Sequence, residues 1–252
     1  MRIKVRMTVD KDIIFPIAYS HLIQKLIYNI LEDNYSSRLH DGGYKYKNKK
    51  FKLFNYSKMM IENKTIEKGK IIIHKGRVEL TISSIDEIFI MKIIDALLSI
   101  KRLEFNEGTF NIDSIYSKKQ LNSGKIKVLT ISPVVVTKPG NFEKTEFYTP
   151  DDREFIESLK NNIISKYNAF YKKAYSGRFN ISISDRSKVR KKIDKYKNWI
   201  YEGYLSGFVI EGENDIVNLA YSTGLGSKNS QGFGCVELFR DVNNLRDYRR
   251  IY

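Results

Sequence analysis

The sequence contains a single cysteine, Cys235, which rules out an internal disulfide and a cysteine-built zinc site. Cys235 sits in an apolar run with valine and leucine and reads as a buried thiol, not a nucleophile. A reducing cytoplasmic setting fits. Only three histidines occur, His21, His40 and His74. They are scattered and no carboxylates stand at ligand spacing beside them, so no metal and no cofactor is expected. No apolar run approaches the roughly 20 residues that span a bilayer. The segment Met1 to Met7 alternates basic and apolar residues like a strand, not like a secretory signal. Acidic residues are also short: 29 Asp and Glu stand against 44 Lys and Arg, a formal net charge of +15. Such an excess asks for a polyanionic partner, and without a lipid-anchoring motif RNA or DNA is favoured over a membrane.

What is present reads as alternating strands and helices. Arg2 to Val9 alternates Ile3, Val5, Met7 and Val9 with polar residues, a half-buried strand. Pro16 is expected to open a helix with Leu22, Ile23, Leu26, Ile27, Ile30 and Leu31 on one face. A loop rich in Tyr, Lys and Gly follows, then strands near Phe51–Ser57, Lys70–His74 and Arg77–Ser83, the last two joined by a hairpin turn at Lys75-Gly76. A second helix spans Ile85 to Ser99, with Ile85, Ile88, Phe89, Ile93, Leu97 and Leu98, and strand material covers Arg102 to Tyr116. The second half repeats this order: a strand from Lys125 to Thr137, a helix from Asp151 to Tyr171, strands at Phe179–Ser184 and Trp199–Ile210, a short helix from Asn214 to Tyr221, and a last apolar run from Phe233 to Phe239. The expected fold class is α+β, two tandem ferredoxin-like (βαββαβ) domains. They are placed at 1–120 and 121–252, with the boundary near Ser117–Gly124.

Between the short helix and the last strand lies Gly224-Leu-Gly-Ser-Lys-Asn-Ser-Gln-Gly-Phe-Gly234. Glycines at 224, 226, 232 and 234 permit positive φ and close approach of a bulky partner. Lys228, Asn229 and Ser230 add a cation and small polar donors suited to a phosphate backbone. The order helix, glycine loop, strand is the reverse of a P-loop or dinucleotide fingerprint, which argues against a nucleotide cofactor.

Together with Leu26-Ile-Tyr-Asn29, Lys52-Leu-Phe-Asn-Tyr-Ser57, Ser132-Pro-Val-Val-Val-Thr137 and Cys235-Val-Glu-Leu-Phe239, this loop resembles a known family. That family is the metal-independent CRISPR-associated endoribonuclease that cuts precursor repeat RNA, within the repeat-associated mysterious protein superfamily. The resemblance covers nearly the whole chain. It implies a catalytic tyrosine in the first helix, a histidine just after it and a lysine opening the next strand, here Tyr28, His40 and Lys52. It also implies CRISPR repeat RNA as partner, with room for other CRISPR-associated effector subunits. Whether the chain is a monomer or a homodimer is not set by the sequence. A non-catalytic repeat-RNA-binding subunit of a CRISPR ribonucleoprotein is the alternative with the same fold and charge.

The residues can be weighed on their own. At about 100° per residue Tyr28 projects well away from the apolar stripe of its helix, which favours a functional role over core filling. His21 shares that face and is the rival to His40. His40, in Ser37-Arg-Leu-His-Asp-Gly-Gly43, can give or take a proton at neutral pH, and its neighbour Asp41 either orients or repels. His74, at a strand end, reads as structural or RNA-facing. Tyr44 to Lys52 interleaves five lysines, among them Lys47, Lys49 and Lys50, with three aromatics, a pattern single-stranded RNA binding uses. Arg186 to Lys197 holds seven Lys or Arg, Arg190, Lys191 and Lys192 included, against Asp194. It is either an RNA contact or a charge-protected hairpin edge, and Arg178 is a further RNA-binding candidate. Without a metal the RNA supplies its own nucleophile: the 2′-hydroxyl attacks the adjacent phosphorus, leaving a 2′,3′-cyclic phosphate and a 5′-hydroxyl.

Overall fold

Alternation places Ile3, Val5, Met7 and Val9 on one buried face of β1 (Arg2–Val9). The computed structural model describes residues 1–118, 120–140 and 145–241. Residue 119, inside the expected 117–124 boundary, and 242–252, the end of the second expected domain, lie outside the described residues. After β1 come the short strand β2 (Ile13–Pro16) and helix α1 (Ser20–Asn29). A second helix, α2 (Asp33–Ser37), runs into a π-helical turn, Arg38–Gly42, and then into the hairpin β3 (Tyr44–Tyr46) and β4 (Lys49–Phe51). Five strands follow: β5 (Phe54–Tyr56), β6 (Met60–Ile61), β7 (Lys64–Glu67), β8 (Lys70–Ile73) and β9 (Gly76–Ser84). Helix α3 (Glu87–Ile100) and the hairpin β10 (Arg102–Phe105) and β11 (Gly108–Lys118) complete the first half.

The main sheet runs β10-β11-β1-β9-β5, with β6 also on β9, and its pairs are antiparallel. The last strand of the βαββαβ unit thus lies beside the first, the first beside the third, and the third beside the second. The second half repeats that neighbour rule. Its elements are β12 (Lys125–Thr130), α4 (Arg153–Tyr171), β13 (Phe179–Ile183), the hairpin β14 (Arg190–Tyr196) and β15 (Trp199–Leu205), β16 (Gly207–Gly212), α5 (Asn214–Thr223) and β17 (Val236–Leu238). The sheet order is β13-β16-β12-β17. Both halves are ferredoxin-like, as the order of apolar segments implies.

A buried polar seam ties the two sheets. The Arg2 guanidinium donates to the carbonyls of Val236 (2.5 Å) and Tyr221 (3.0 Å), lies 3.4 Å from Glu237 and stacks over the Tyr221 ring. Asn55 on β5 and Ser83 on β9 both donate to the Ser222 carbonyl of α5. Leu53 and Ile85, from the first half, pack in the core of the second.

Several local expectations are corrected. Pro16 ends β2 and does not open α1, which starts at Ser20. Because β2 is the edge of the separate sheet β2-β8-β7, a residue without an N–H is tolerated there. Lys75-Gly76 is not a hairpin turn, since β8 and β9 belong to different sheets; the hairpin turn is Lys68-Gly69, between β7 and β8. The strand expected from Lys125 to Thr137 stops at Thr130, and Val134 and Val135 make isolated bridges to Tyr204 and Ser227. The run Trp199–Ile210 splits at Ser206 into β15 and β16, which serve different sheets. On α3, Ile88 and Leu98 are exposed while Phe89, Ile90, Ile93 and Leu97 face the core. Among the described residues no helix is long and apolar enough to cross a membrane.

Candidate active site

Two positive-φ residues shape the segment that carries His40 and Lys52. Gly43, at φ +58°, closes the π-helical turn, its N–H returning to the Arg38 carbonyl at 3.2 Å. A Cβ there would stand 2.6 Å from the Phe51 carbonyl oxygen, so only glycine fits. Leu53 holds φ +56°, a region that costs a side-chain-bearing residue about 1–3 kcal/mol. That kink separates Lys52 from β5, and the Lys52 ammonium reaches the π-turn, donating to the Leu39 carbonyl (2.6 Å) and to the His40 carbonyl. Asp86 anchors both flanks of the turn. Its Oδ1 caps α3 at the Phe89 N–H, and its Oδ2 accepts from Tyr35 of α2 (3.0 Å) and Tyr44 of β3 (2.6 Å).

The structure therefore brings Tyr28, His40 and Lys52 together from α1, the π-turn and the segment before β5. The Tyr28 and His40 rings meet edge to face with centroids 5.6 Å apart, and Phe54 supports Tyr28 from the other side at 6.0 Å. Tyr28 leaves the apolar stripe yet is half-buried, because β5 and the His40 turn cover that flank of α1. Burial, with a smaller contribution from Tyr196, raises its hydroxyl to about 12, so Tyr28 is a donor at neutral pH and not a base. His40 is solvent-facing, 70% exposed. Its Nδ1 lies 2.7 Å from Asp41 Oδ1. An ionised carboxylate can only accept, so Nδ1 carries the proton and Nε2 is left for chemistry. Asp41 orients His40. The same hydrogen bond, helped by Lys52 and Lys50, holds the Asp41 carboxyl below its ordinary range. Burial lowers the Lys52 amine, with Asp41 opposing the shift.

Lys52 also lines a cleft of about 440 Å³ whose opposite wall is the glycine loop. Of the residues singled out in the sequence, Lys49, Lys50, Lys52, Gly226, Lys228, Asn229 and Ser230 line it. The loop's glycines serve packing within the protein, both inside the loop and against its neighbours. Gly232, at φ +87°, lies so close to the Tyr56 ring that a Cβ would sit 2.6 Å from it. The Asn229 side chain is turned inward, donating to the Leu225 and Phe233 carbonyls. Gln24, one turn before Tyr28 on the same face of α1, donates to the Ser230 carbonyl at 2.6 Å and fastens the loop to the helix that carries Tyr28. Gly224 and Gly234 form the base of the loop, where the Leu225 N–H bonds the Gly234 carbonyl.

Other candidates lie apart from the cleft. Lys47 occupies the β3–β4 turn beside the Tyr46 ring. Arg178 precedes β13, with its carbonyl bonded by Tyr175. Arg190, Lys191 and Lys192 fall on β14, an exposed hairpin strand; Lys191 pairs with Glu202 at 2.6 Å, and Lys192 borders a different cavity with Lys58 and Asp194. His21 bonds the Ala18 carbonyl, and His74 bridges Asp12 and Thr65, which gives both structural partners. Cys235 is fully buried and its thiol is pushed up to about 12 by burial.

Residues 14–117 match the family described as CRISPR-associated protein Cas6, N-terminal, and residues 116–238 match CRISPR associated protein Cas6, C-terminal. A CRISPR-associated endoribonuclease Cas6 of Methanocaldococcus jannaschii is 30% identical, over 96% of this chain and 94% of its own. The chain belongs to the Cas6 family. A Cas6 endoribonuclease of Pyrococcus furiosus is 28% identical over 94% of this chain and 90% of that protein. A solved CRISPR associated protein Cas6 superposes with a TM-score of 0.76 at 29% identity, covering 94% of this chain and 98% of that one. A second solved structure, described as a RAMP protein binding different RNA substrates, shares the fold with a TM-score of 0.77 at 23% identity, covering 95% and 99%.

Asp86, Gln24 and Lys166 escape a reading of the sequence. Lys166 alone leaves a trace in periodicity, since it falls in step with Leu159 and Ile163 on the buried face of α4.

Proposed function

We propose that the chain cleaves precursor CRISPR RNA within the repeat by metal-independent general acid–base catalysis, with Tyr28, His40 and Lys52 as the reacting centre. The observation that carries this reading is that Tyr28 packs on the His40 ring while Lys52 both braces the His40 turn and lines the cleft walled by the glycine loop. His40 Nε2, unprotonated in the tautomer that Asp41 sets, accepts the 2′-hydroxyl proton as that oxygen bonds to phosphorus, and the imidazolium so formed, or solvent, returns a proton to the leaving 5′-oxygen. Tyr28, protonated throughout the neutral range, donates a hydrogen bond to a phosphate or leaving oxygen. Lys52 brings positive charge toward the pentacoordinate phosphate while two of its N–H groups brace the His40 turn. The N-terminal unit, 1–120, carries the proton chemistry and the C-terminal unit, 121–252, the glycine loop. All three side chains come from one chain, so the chemistry needs no second copy. Such an enzyme would work in the cytoplasm, where the transcript is made.

Products test the route. The upstream fragment should have the mass of a 2′,3′-cyclic phosphate and the downstream fragment a free 5′-hydroxyl; an upstream 3′-hydroxyl would refute it.

Two further outcomes are expected. Tyr28→Phe should lower single-turnover cleavage about 10- to 100-fold, the loss of one hydrogen bond to a charged group, without altering the shape of the pH–rate profile between pH 6 and 9. A Tyr28→Phe profile that loses a titrating limb would make the tyrosine a base. Lys49→Ala and Lys50→Ala should each flatten the log–log salt dependence of RNA affinity by about 0.7, one phosphate contact apiece. Unchanged slopes in a salt titration would remove both from the interface.

A further inference from the structure

A separate cavity of about 290 Å³ opens beside the start of α1, between the sheet β2-β8-β7 of the first half and the β14–β15 hairpin of the second. It shares no lining residue with the cleft. Its walls are aliphatic. Ile17, Ile66, Ile193 and Ile200 all border it, and each is 47–65% exposed. Single exposed aliphatics need no explanation, but four gathered round one opening mark a contact surface. The floor is built and rigid. Asp194 of β14 meets the Lys58 ammonium at 2.5 Å, and Lys58 donates onward to Ser20 Oγ at 2.7 Å, which pins the hairpin to the first half.

The charge around the opening is one-sided. Four lysines line the groove, Lys58, Lys64, Lys192 and Lys195, against the single carboxylate of Asp194 that Lys58 engages. Burial and the nearby Lys192 charge hold the Lys64 amine below its ordinary value, which shows two cations crowded at one rim. A negative group placed between them would relieve that crowding.

We propose that this groove docks a short acidic segment of a partner protein, with large apolar side chains seated among the isoleucines and carboxylates on Lys64, Lys192 and Lys195. Charge complementarity selects an acidic occupant and disfavours a second copy of this chain, whose net charge is +15. RNA would also answer the lysines, but single strands gain by stacking on aromatic faces. Tyr19 is the one aromatic among the described lining residues, and it is buried with its hydroxyl accepting from the Met59 N–H. The cavity lies just below the roughly 300–1,000 Å³ of small-ligand pockets, which suits anchor side chains of a segment better than an enclosed small molecule. No residue of the cleft or of the proposed reacting centre takes part, so this surface stands or falls apart from the RNA-cleaving reading.

The test is a selection of random peptides displayed on phage against the full chain, run in parallel on an Ile17→Asp, Ile66→Asp double variant that keeps every rim lysine. Peptides enriched on wild type alone should carry a net negative charge and at least two large apolar residues. A synthetic copy of one should bind the double variant about tenfold or more weakly, the loss of anchor contacts. A second variant, Lys64→Glu with Lys195→Glu, leaves the aliphatic walls intact and should weaken the same peptide by a similar factor. Repeat-RNA affinity of the isoleucine variant should stay within about threefold of wild type, which also shows that it is folded. Three results would overturn the proposal: no peptide that tells wild type from the isoleucine variant, enriched peptides that are neutral or basic, or a folded isoleucine variant whose loss falls on RNA binding instead.

Discussion

His40→Ala is expected to lower the single-turnover rate of repeat-RNA cleavage by about 10²- to 10⁴-fold, the range that one general acid–base group contributes. RNA affinity should stay within about threefold, because His40 is an exposed rim residue whose contact with Asp41 carries little binding or stability. The argument is geometric. Tyr28 stays protonated and Lys52 is committed to two carbonyls, so Nε2 of His40 is the group of the three left free to exchange a proton. Lys52→Ala should cost rate by two routes, removal of charge near the phosphate and release of the Leu39 and His40 carbonyls. Lys52→Arg would keep the charge and strain the brace, so a partial recovery should be seen with arginine. A His40→Ala enzyme that cuts within about threefold of wild type would remove histidine from the mechanism, since general catalysts contribute far more.

Arg2→Met is expected to destabilise the fold by up to about 3–5 kcal/mol, the cost of removing the guanidinium from a buried ion pair. Arg2 and Glu237 are both almost completely buried, and without the guanidinium Glu237 keeps only the Tyr221 hydroxyl and the partly exposed Lys118 ammonium 3.7 Å away. Burial alone would raise the Glu237 carboxyl. Arg2, the Tyr221 hydroxyl and Lys118 outweigh it and hold the group below the ordinary carboxylate range. A depressed folded value means that this stabilisation is complete above the unfolded carboxyl value, near 4.3, and is lost as pH falls through the folded value. Removing Arg2 reverses the sign. Burial, then opposed only by the Tyr221 hydroxyl and Lys118, should push the Glu237 carboxyl upward, so the penalty should shrink as acid protonates it. Urea unfolding of wild type and Arg2→Met should therefore differ most near pH 7 and least near pH 4. Replacing both partners, Arg2→Met with Glu237→Leu, should restore most of the loss. An Arg2→Met penalty that does not change with pH would assign it to lost packing instead.

Much of this architecture can be read from the sequence because each ferredoxin-like half states its order in apolar periodicity. Ile3, Val5, Met7 and Val9 specify a sheet face, and Leu159 with Ile163 a helix face. The errors arise where strands change partners. Lys75-Gly76 has the composition of a hairpin turn, yet the two flanking strands belong to different sheets, a fact of tertiary pairing that local chemistry does not encode. Ser206 separates two strands that read as one apolar run for the same reason. At the site, Tyr28, His40 and Lys52 could be named from the resemblance, but not what aims them. The phenols of Tyr35 and Tyr44 meet at Asp86 across more than forty positions of chain, and Gln24 reaches Ser230 across about two hundred. No pattern of spacing announces such pairs. The glycines were visible as a motif, but their purpose was only half legible: Gly232 accommodates the Tyr56 ring of the protein's own core.

The most direct test of the central claim is single-turnover cleavage of the cognate repeat RNA in excess EDTA, beside a control strand with a 2′-deoxy substitution at the mapped cleavage nucleotide. The account predicts cutting at one site that EDTA leaves intact and the single deoxy substitution abolishes. Cleavage that EDTA suppresses, or that the deoxy strand still undergoes, would contradict attack by the RNA's own hydroxyl under Tyr28, His40 and Lys52.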